Sequence, residues 1–154
     1  MPDEAAKGYI FATIFTLANK LQVIGDRFDP NVTIKQWLFL VGLSTCKEPP
    51  MVSEVADLIG YSRQNAKRIA LMLEQTGFVK VIKDPKDNRI LRIILTEACR
   101  DYFSRRYDKE VDSLNALFSG LDSGLIKGLG EGLKALETNV ERILHNESHG
   151  YEEG

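Results

Sequence analysis

Residues 53–96 decide the fold of this chain: SEVADLIGYSRQNAKRIALMLEQTGFVKVIKDPKDNRILRIILT. The apolar pattern at its start predicts a short helix from about Met51, which Gly60 ends as a left-handed cap. Ser62 is a typical N-cap for a second helix, and Gly77 closes that helix. The stretch therefore begins with two helices that are joined by the turn Gly-Tyr-Ser.

The second predicted helix is amphipathic. Its apolar residues share one face, at spacings of three, four and seven positions: Ala66, Ile69, Ala70 and Leu73. Gln64, Lys67 and Arg68 project from the opposite face, because each residue advances a helix by about 100°. Such a helix packs on a protein body by its apolar face and presents long polar side chains outward.

A charged hairpin follows the two helices. Residues 78–83 and 90–95 are rich in β-branched and aromatic side chains, which predicts two strands around the six-residue loop 84–89. Two helices, a short turn and a hairpin are typical of a winged helix-turn-helix, whose hairpin is called the wing. Because the major groove of duplex DNA is about 12 Å wide, it admits one α-helix of this kind.

Eight side chains are the candidate DNA contacts. We expect three of them to read base edges: Gln64, Lys67 and Arg68. Three others are expected to position the start of the helix: Ser62, Arg63 and Asn65. Lys86 and Arg89 belong to the wing. A solvated surface helix is the alternative explanation of the same pattern.

The charge of the chain is unevenly distributed. Its 154 residues carry a net charge of −2, which by itself argues against a polyanionic partner. Between Tyr61 and Arg92, however, there are eight basic and three acidic residues, so this segment carries +5 and the remainder −7. A basic segment on an acidic body is typical of a localised polyanion site, although a solvated charged surface has the same composition.

Helices are predicted on both sides of this module. The first runs from about Lys7 to Phe28 with a wide apolar stripe, and a capping box of Thr33 and Gln36 begins the next, which ends near Thr45. Two more follow the hairpin, and the last, from Asp122 to about His145, carries an apolar seam: Leu125, Leu129, Leu133, Leu136, Val140, Ile143 and Leu144. A solvated tail is predicted after Asn146.

Four glycines interrupt the last predicted helix: Gly124, Gly128, Gly130 and Gly132. Each costs about 1 kcal/mol relative to alanine in a helix interior. We therefore expect either close contact with another helix at these positions or a frayed first turn.

The decisive stretch resembles the MarR family of transcription regulators. Residues 53–60 are similar to the first helix of the family's helix-turn-helix, and residues 62–65 and 73–79 to its recognition helix and the start of its wing. The order of the flanking helices also matches, so the resemblance covers nearly the whole chain.

The wing carries the most specific part of the resemblance. Asp84, Asp87 and Arg89 stand at the places of the family's D-x-x-D-x-R signature, which Leu95-Thr96 follows as in the family. The family's wing arginine reaches the minor groove, which implies that role for Arg89. We expect at least one of the bracing candidates Asp84 and Asp87 to pair with Arg89 or another basic residue of the wing and to fix its direction. Cys99 departs from the family, which often has glycine there.

The resemblance implies a mainly α fold with a small β-hairpin wing, a winged helix-turn-helix flanked by dimerisation helices. Residues 1–150 form the MarR-like chain, with residues 33–96 as the DNA-binding part and residues 5–28 and 97–146 as dimerisation helices. It also implies a homodimer that binds double-stranded DNA at a pseudo-palindromic operator, with recognition helices about 34–36 Å apart. The expected activity is that of a ligand-responsive repressor.

Small aromatic effectors bind many family members between the dimerisation and DNA-binding parts. The candidate effector pocket here consists of four aromatic residues: Phe11, Phe15, Trp37 and Phe39. Aromatic residues at helical spacing are more often core residues, so the resemblance implies no particular ligand.

Other classes of protein are disfavoured. The sequence has no nucleophile elbow, P-loop or H-E-x-x-H motif, which predicts no enzyme, no cofactor and no metal site. Cys46 and Cys99 form no C-x-x-C pair, and neither lies in the first helix, where the family's hydroperoxide sensors have their cysteine. The acidic start and the lack of a long apolar run predict a soluble, cytoplasmic protein with no membrane partner.

A winged helix that serves as a protein-interaction module is the alternative function. Leu71 supports this alternative, because it is an apolar residue that projects outward from the second helix. Its charged neighbours Lys67 and Arg68 favour DNA.

Overall fold

The computed structural model describes the backbone of residues 1–150 and the side chains of residues 1–147. Its elements follow in the order α1 (Asp3–Phe28), α2 (Ile34–Thr45), α3 (Val52–Ile59), α4 (Arg63–Gln75), β1 (Val79–Lys83), β2 (Leu91–Leu95), α5 (Glu97–Leu117) and α6 (Ser123–Gly150). The predicted fold, mainly α with one β-hairpin, is confirmed.

The hydrophobic core lies where α2, α3, α4 and the hairpin meet. Each of these elements contributes to its largest fully buried side chains: Phe39, Val55, Leu73, Val79 and Ile93. Because such large side chains lose their contact with water completely, each contributes on the order of 1.5–3 kcal/mol to folding. This core holds the helix-turn-helix and the wing together.

The turn between α3 and α4 has the predicted caps. Gly60 adopts the left-handed conformation with φ of 75°. The Ser62 hydroxyl accepts the backbone N–H of Asn65 at 3.2 Å, which confirms the N-cap. The Tyr61 hydroxyl donates to the carbonyl of Lys35 on α2 at 3.3 Å, so the turn is tied to the core.

The two strands pair antiparallel, with Val79 opposite Leu95. Each strand begins one residue later than predicted, because Phe78 still belongs to the turn that ends α4 and the N–H of Ile90 donates to Asp87 within the wing loop. The wing loop is therefore the seven residues 84–90 rather than six. The backbone N–H of Asp84 donates to the carbonyl of Ile90 at 2.9 Å and closes this loop at its base.

The chain divides into two compact units, residues 1–104 and residues 105–154. In the first unit, the Tyr102 hydroxyl donates to the buried carboxylate of Asp29 at 2.7 Å, which ties the beginning of α5 to the end of α1. The second unit contains the rest of α5 and α6. Asp122 caps α6 by accepting a backbone N–H at 2.9 Å.

Two helices expose apolar surface to water. No residue of α1 is buried, and its exposed large apolar side chains are Tyr9, Ile10, Phe11, Ile14, Phe15, Leu17, Val23 and Ile24. The seam of α6 is 41–60% exposed along its length: Leu125, Leu129, Leu133, Leu136, Val140, Ile143 and Leu144. Each compact unit thus carries exposed apolar surface, α1 in the first and α6 in the second.

The end and the first turn of α6 differ from what the sequence predicts. The helix continues to Gly150 instead of ending near His145, so the tail predicted after Asn146 is helical as far as the description extends; residues 151–154 lie outside it. Its first turn is regular and not frayed. Within the described part of one copy, a Cβ at Gly128 would meet no heavy atom within 4 Å, and the same holds at Gly130 and Gly132. One copy therefore makes no close helix contact at these three glycines.

Among the described residues, no helix combines the length and the apolar character that crossing a bilayer requires.

Candidate nucleic-acid interface

The apolar face of α4 is buried in the core. Ala66 is 0% exposed, Ile69 2%, and Leu73 1%. The opposite face, which we call the outer face of α4, consists of Gln64, Lys67, Arg68 and Leu71, all of them exposed. The helix thus has the orientation that its sequence pattern predicts, with long polar side chains on the solvent side.

The beginning of α4 organises one of its arginines. The Asn65 side-chain oxygen accepts a hydrogen bond from the Arg68 guanidinium at 3.0 Å. The backbone N–H of Asn65 donates to the Ser62 hydroxyl, so Asn65 is held by one hydrogen bond at its backbone and by another at its side chain. Arg63, on the first turn, is exposed. The sequence analysis placed Asn65 at the helix start but missed its contact with Arg68, although an i, i+3 spacing is compatible with one.

In the wing loop, the Arg89 side chain is hydrogen-bonded to the carboxylate of Asp87. The Nε of Arg89 donates to one oxygen of Asp87 at 3.0 Å, and its NH2 donates to the other at 2.9 Å. The backbone N–H of Arg89 donates to Asp87 as well, and these bonds lower the pKa of the Asp87 carboxyl. The Arg89 side chain is 90% exposed, so the forked pair sets its direction without burying it.

The other wing acid has a different partner. Asp84 accepts a hydrogen bond from the Nε of Arg92 on β2 at 2.5 Å, and Arg89 makes no such bond to it. Its second oxygen accepts the backbone N–H groups of Lys86 and Asp87, at 2.8 and 3.0 Å. The Arg92 hydrogen bond, followed by those two, lowers the pKa of Asp84 to about 2. Asp84 therefore organises the loop from inside, whereas Asp87 holds the exposed arginine.

Arg92 has a role in the wing that the sequence did not indicate. It was counted among the basic residues of the segment, but it lies on a strand outside the signature positions. Its i and i+8 spacing from Asp84 becomes informative only when the loop closes and brings the two side chains together. Lys86 is exposed on the loop, as expected for a wing cation.

The basic side chains of this segment face solvent. Seven of its eight are exposed: Arg63, Lys67, Arg68, Lys80, Lys83, Lys86 and Arg89. Arg92 is the partly buried one. Because the segment carries a net charge of +5 and seven of its eight cations are exposed, its outward field is positive.

The four aromatic residues of the candidate effector pocket are not placed together. Trp37 lines a cavity of about 210 Å³ in the first unit, with Val41, Ser44, Leu95 and Phe103 among its other walls. Phe39 is fully buried in the core and offers no surface to that cavity. Phe11 and Phe15 contact each other edge to face, with ring centroids 5.1 Å apart, on the exposed stripe of α1.

The cysteines lie away from the outer face of α4. Cys99 is buried beside the Trp37 cavity, and burial raises the pKa of its thiol. A raised thiol pKa lowers the fraction of reactive thiolate. Among the residues whose side chains are described, no group of three or more histidine, cysteine or carboxylate side chains is placed to bind a metal ion.

Comparison with known proteins identifies the fold. No protein-family model and no curated protein sequence matches the chain. Solved structures do: a MarR/EmrR family transcriptional regulator from Acinetobacter sp. ADP1 is 22% identical with a TM-score of 0.76, over 88% of this chain and 97% of that one. BldR from Sulfolobus solfataricus is 21% identical with a TM-score of 0.75, over 90% and 99%. The regulator SlyA is 26% identical with a TM-score of 0.72, over 86% and 94%.

The MarR-type fold is therefore confirmed. It is a fold of transcriptional regulators, with the winged helix-turn-helix at residues that the sequence analysis assigned to it. The likeness extends over most of each chain compared, so it includes the flanking helices as well as the wing.

The Asp84–Arg92 pair predicts a pH dependence of stability. Because folding lowers the pKa of Asp84 from 3.8 to about 2, its carboxylate stabilises the fold fully above the unfolded value. That contribution is lost as pH falls through the native value. We expect the melting temperature of the wild type to exceed that of Asp84→Asn at about pH 6, and the gap to close between about pH 4 and pH 2.

Thermal unfolding of both proteins across that pH range is the measurement. Asp57→Asn changes an exposed aspartate of α3 and controls for the general effect of removing one carboxylate. A gap for Asp84→Asn that persists unchanged down to pH 2 would contradict the assignment.

Proposed function

We propose that this chain is a sequence-specific, double-stranded DNA-binding transcription regulator that works as a homodimer. The observation that carries the proposal is the combination of an outer face of α4 bearing Gln64, Lys67 and Arg68 with an exposed wing arginine, Arg89, oriented by Asp87. One helix for the major groove and one cation for the adjacent minor groove are the two contacts that this fold offers to a duplex.

The outer face of α4 suits base recognition. Arginine makes bidentate contacts to guanine, and glutamine or asparagine makes them to adenine. Arg68 is directed by Asn65 before any DNA is present, which lowers the entropy lost when it binds a base. Lys67 and Gln64 sit beside it on the same face.

The wing suits recognition of groove shape. A narrow, A·T-rich minor groove has an enhanced negative potential that attracts an inserted arginine. Arg89 is exposed and held by two hydrogen bonds, so it extends from the loop in a defined direction. Lys86 adds a second cation on the same loop. FabT from Streptococcus pneumoniae, which shares this fold at 16% identity, has been crystallised in complex with DNA.

The homodimer explains the uncovered apolar surfaces. The seam of α6 recurs at intervals of three and four residues, the pattern of a helix that packs on another helix. The stripe of α1 is exposed as well, and contiguous apolar surfaces of this size on soluble proteins mark interaction sites. A second copy covers both by two-fold symmetry and places two outer faces on successive turns of a pseudo-palindrome.

Repression and effector control are the finer parts of the proposal. Occupying an operator blocks transcription without any further activity, so repression is the simplest outcome of binding. Trp37, of the candidate set, lines an open cavity, and that cavity is the place for a small aromatic effector. DNA binding by BpsR of Bordetella bronchiseptica, a structural neighbour at 15% identity, is regulated by 6-hydroxynicotinic acid.

The alternative is a protein-interaction module, and Leu71 is the observation that favours it. Leu71 is 53% exposed on the outer face of α4. An apolar contact with a thymine methyl group gives the same residue a role on DNA. Affinity for duplex DNA that falls steeply with salt distinguishes the two functions, because phosphate contacts release counterions and apolar contacts between proteins do not.

Selection of duplexes from a random pool by the purified protein tests the proposed function, and variants on the selected operator test the roles. We expect Arg68→Ala to weaken binding to the operator by about 1–3 kcal/mol, because a bidentate base contact is lost. Binding to non-operator DNA is expected to weaken by much less. Arg105→Ala removes an exposed arginine of α5 and is the matched control. Equal losses on operator and random DNA would contradict base reading by Arg68.

Wing variants on the same operator have a different signature. Arg89→Ala is expected to weaken binding to duplexes of many sequences to a similar extent. It is also expected to lower the slope of log affinity against log salt concentration by roughly 0.9 per subunit. Asp87→Asn is expected to weaken binding although it removes a negative charge, because Arg89 loses its forked partner. Tighter binding by a correctly folded Asp87→Asn would mean that Asp87 only repels DNA.

The homodimer has its own test. Leu133→Glu places a charge in the middle of the α6 seam, and Lys134→Glu makes a change of charge at the next position, outside the seam. We expect the wild type and Lys134→Glu to be dimers in size-exclusion chromatography with light scattering. Leu133→Glu is expected to dissociate or aggregate and to lose operator binding. A monomeric wild type, or a dimeric Leu133→Glu with full affinity, would contradict the proposal.

A further inference from the structure

Arg92 contacts three separate segments of the winged part. Its Nε donates to Asp84 of the wing loop at 2.5 Å, and its NH1 donates to the carbonyl of Pro49 at 3.0 Å. The same NH1 lies 3.9 Å from the carboxylate of Glu54 on α3. We call these three contacts the Arg92 bridge. They connect the wing to the loop that precedes α3 and to α3 itself.

Two backbone N–H groups donate hydrogen bonds next to the Arg92 bridge. The N–H of Ile93 donates to the carbonyl of Pro50 at 2.9 Å, next to the Arg92 contact with Pro49. The Glu54 oxygen nearest Arg92 also accepts the N–H of Met51 at 2.7 Å, at the beginning of α3. Because prolines have no N–H, the tandem prolines offer only acceptors here, and β2 supplies the donors. Strand β2 is thereby hydrogen-bonded to the residues that precede α3.

We infer that Arg92 is a positioning residue that sets where the wing stands relative to the helix-turn-helix. The inference rests on the proposed function, since the wing matters only if it meets DNA. The Arg92 bridge holds Asp84, Asp84 holds the loop amides of Lys86 and Asp87, and Asp87 holds Arg89. Asp87 thus sets the direction of Arg89, and the Arg92 bridge sets its distance from the outer face of α4.

The geometry of the bridge requires an arginine. A guanidinium presents several N–H donors in a rigid plane, so it reaches a carboxylate and a carbonyl in different directions at once. A lysine ammonium at the same place is a point charge that satisfies one of them well. The Arg92 side chain is 28% exposed and that of Asp84 12%, in contrast to the open Arg89. Its donors point into the protein, which separates Arg92 from the cations that face DNA.

The first test needs no DNA. Amide hydrogen exchange of the full chain is compared for the wild type, Arg92→Gln and Arg92→Lys, with Arg89→Ala as the matched control for loss of a wing arginine. We expect the amides of Ile93, Lys86 and Asp87 to exchange about tenfold faster in Arg92→Gln, less so in Arg92→Lys, and at the wild-type rate in Arg89→Ala. Unchanged protection of these three amides in a folded Arg92→Gln overturns the inference. If Arg92→Gln does not fold, the Ile93 amide is read in Asp84→Asn in the same way, because Asp84 accepts the other two amides directly.

The second test is a double-mutant cycle on the operator. If Arg92 acts through Arg89, the double variant Arg89→Ala/Arg92→Gln binds no more weakly than Arg89→Ala alone, although Arg92→Gln by itself loses about tenfold. Additive losses overturn the inference, because they mean that Arg92 contacts DNA itself or acts only on stability. A wild type that binds no duplex at all refutes the proposed function instead, and the exchange experiment still decides the bridge.

Discussion

Burial of one face of α4 is the constraint on which the rest of the molecule depends. Ala66, Ile69, Ala70 and Leu73 occupy one side of the helix, and a rotation about the helix axis that buries them must expose the other side. Removing a side chain such as Leu73 costs on the order of 2–5 kcal/mol, far more than any single surface contact contributes. The positions of Gln64, Lys67 and Arg68 are therefore set by core packing, before any partner is present.

In the wing, charged hydrogen bonds rather than core packing set the positions of the side chains. Two acids in a loop that we propose to approach DNA are unfavourable unless each is paired with a basic group. Asp84 is hydrogen-bonded to Arg92 and to loop amides, and Asp87 to Arg89, so neither presents a free carboxylate to a phosphate. What remains outward is the cation of Arg89 and that of Lys86. The acids thus position the basic residues, and the segment keeps a net charge of +5.

Much of this architecture could be predicted from the sequence, because it depends on local rules. The Thr33 capping box, the left-handed Gly60 and the apolar spacing of α4 each involve residues within seven positions of one another. The role of Arg92 could not, since Pro49 and Glu54 are 43 and 38 positions away and no periodicity links them. Phe39 lies in the core, whereas Phe11 and Phe15 lie on the exposed stripe of α1, because helical spacing indicates a buried side but not which neighbour covers it. The end of α6 was placed too early, because a polar sequence does not by itself end a helix.

In the proposed complex, one dimer places two outer faces of α4 in the major groove and two wings in the flanking minor grooves. The most direct test is footprinting of the full-length protein on the duplex that it selects, with methylation interference for the major groove and hydroxyl radicals for the minor groove. We expect two major-groove contacts about 10 base pairs apart, related by a two-fold axis and flanked by protected A·T-rich minor grooves. A single unsymmetrical contact, or saturating binding that protects no groove, would contradict it.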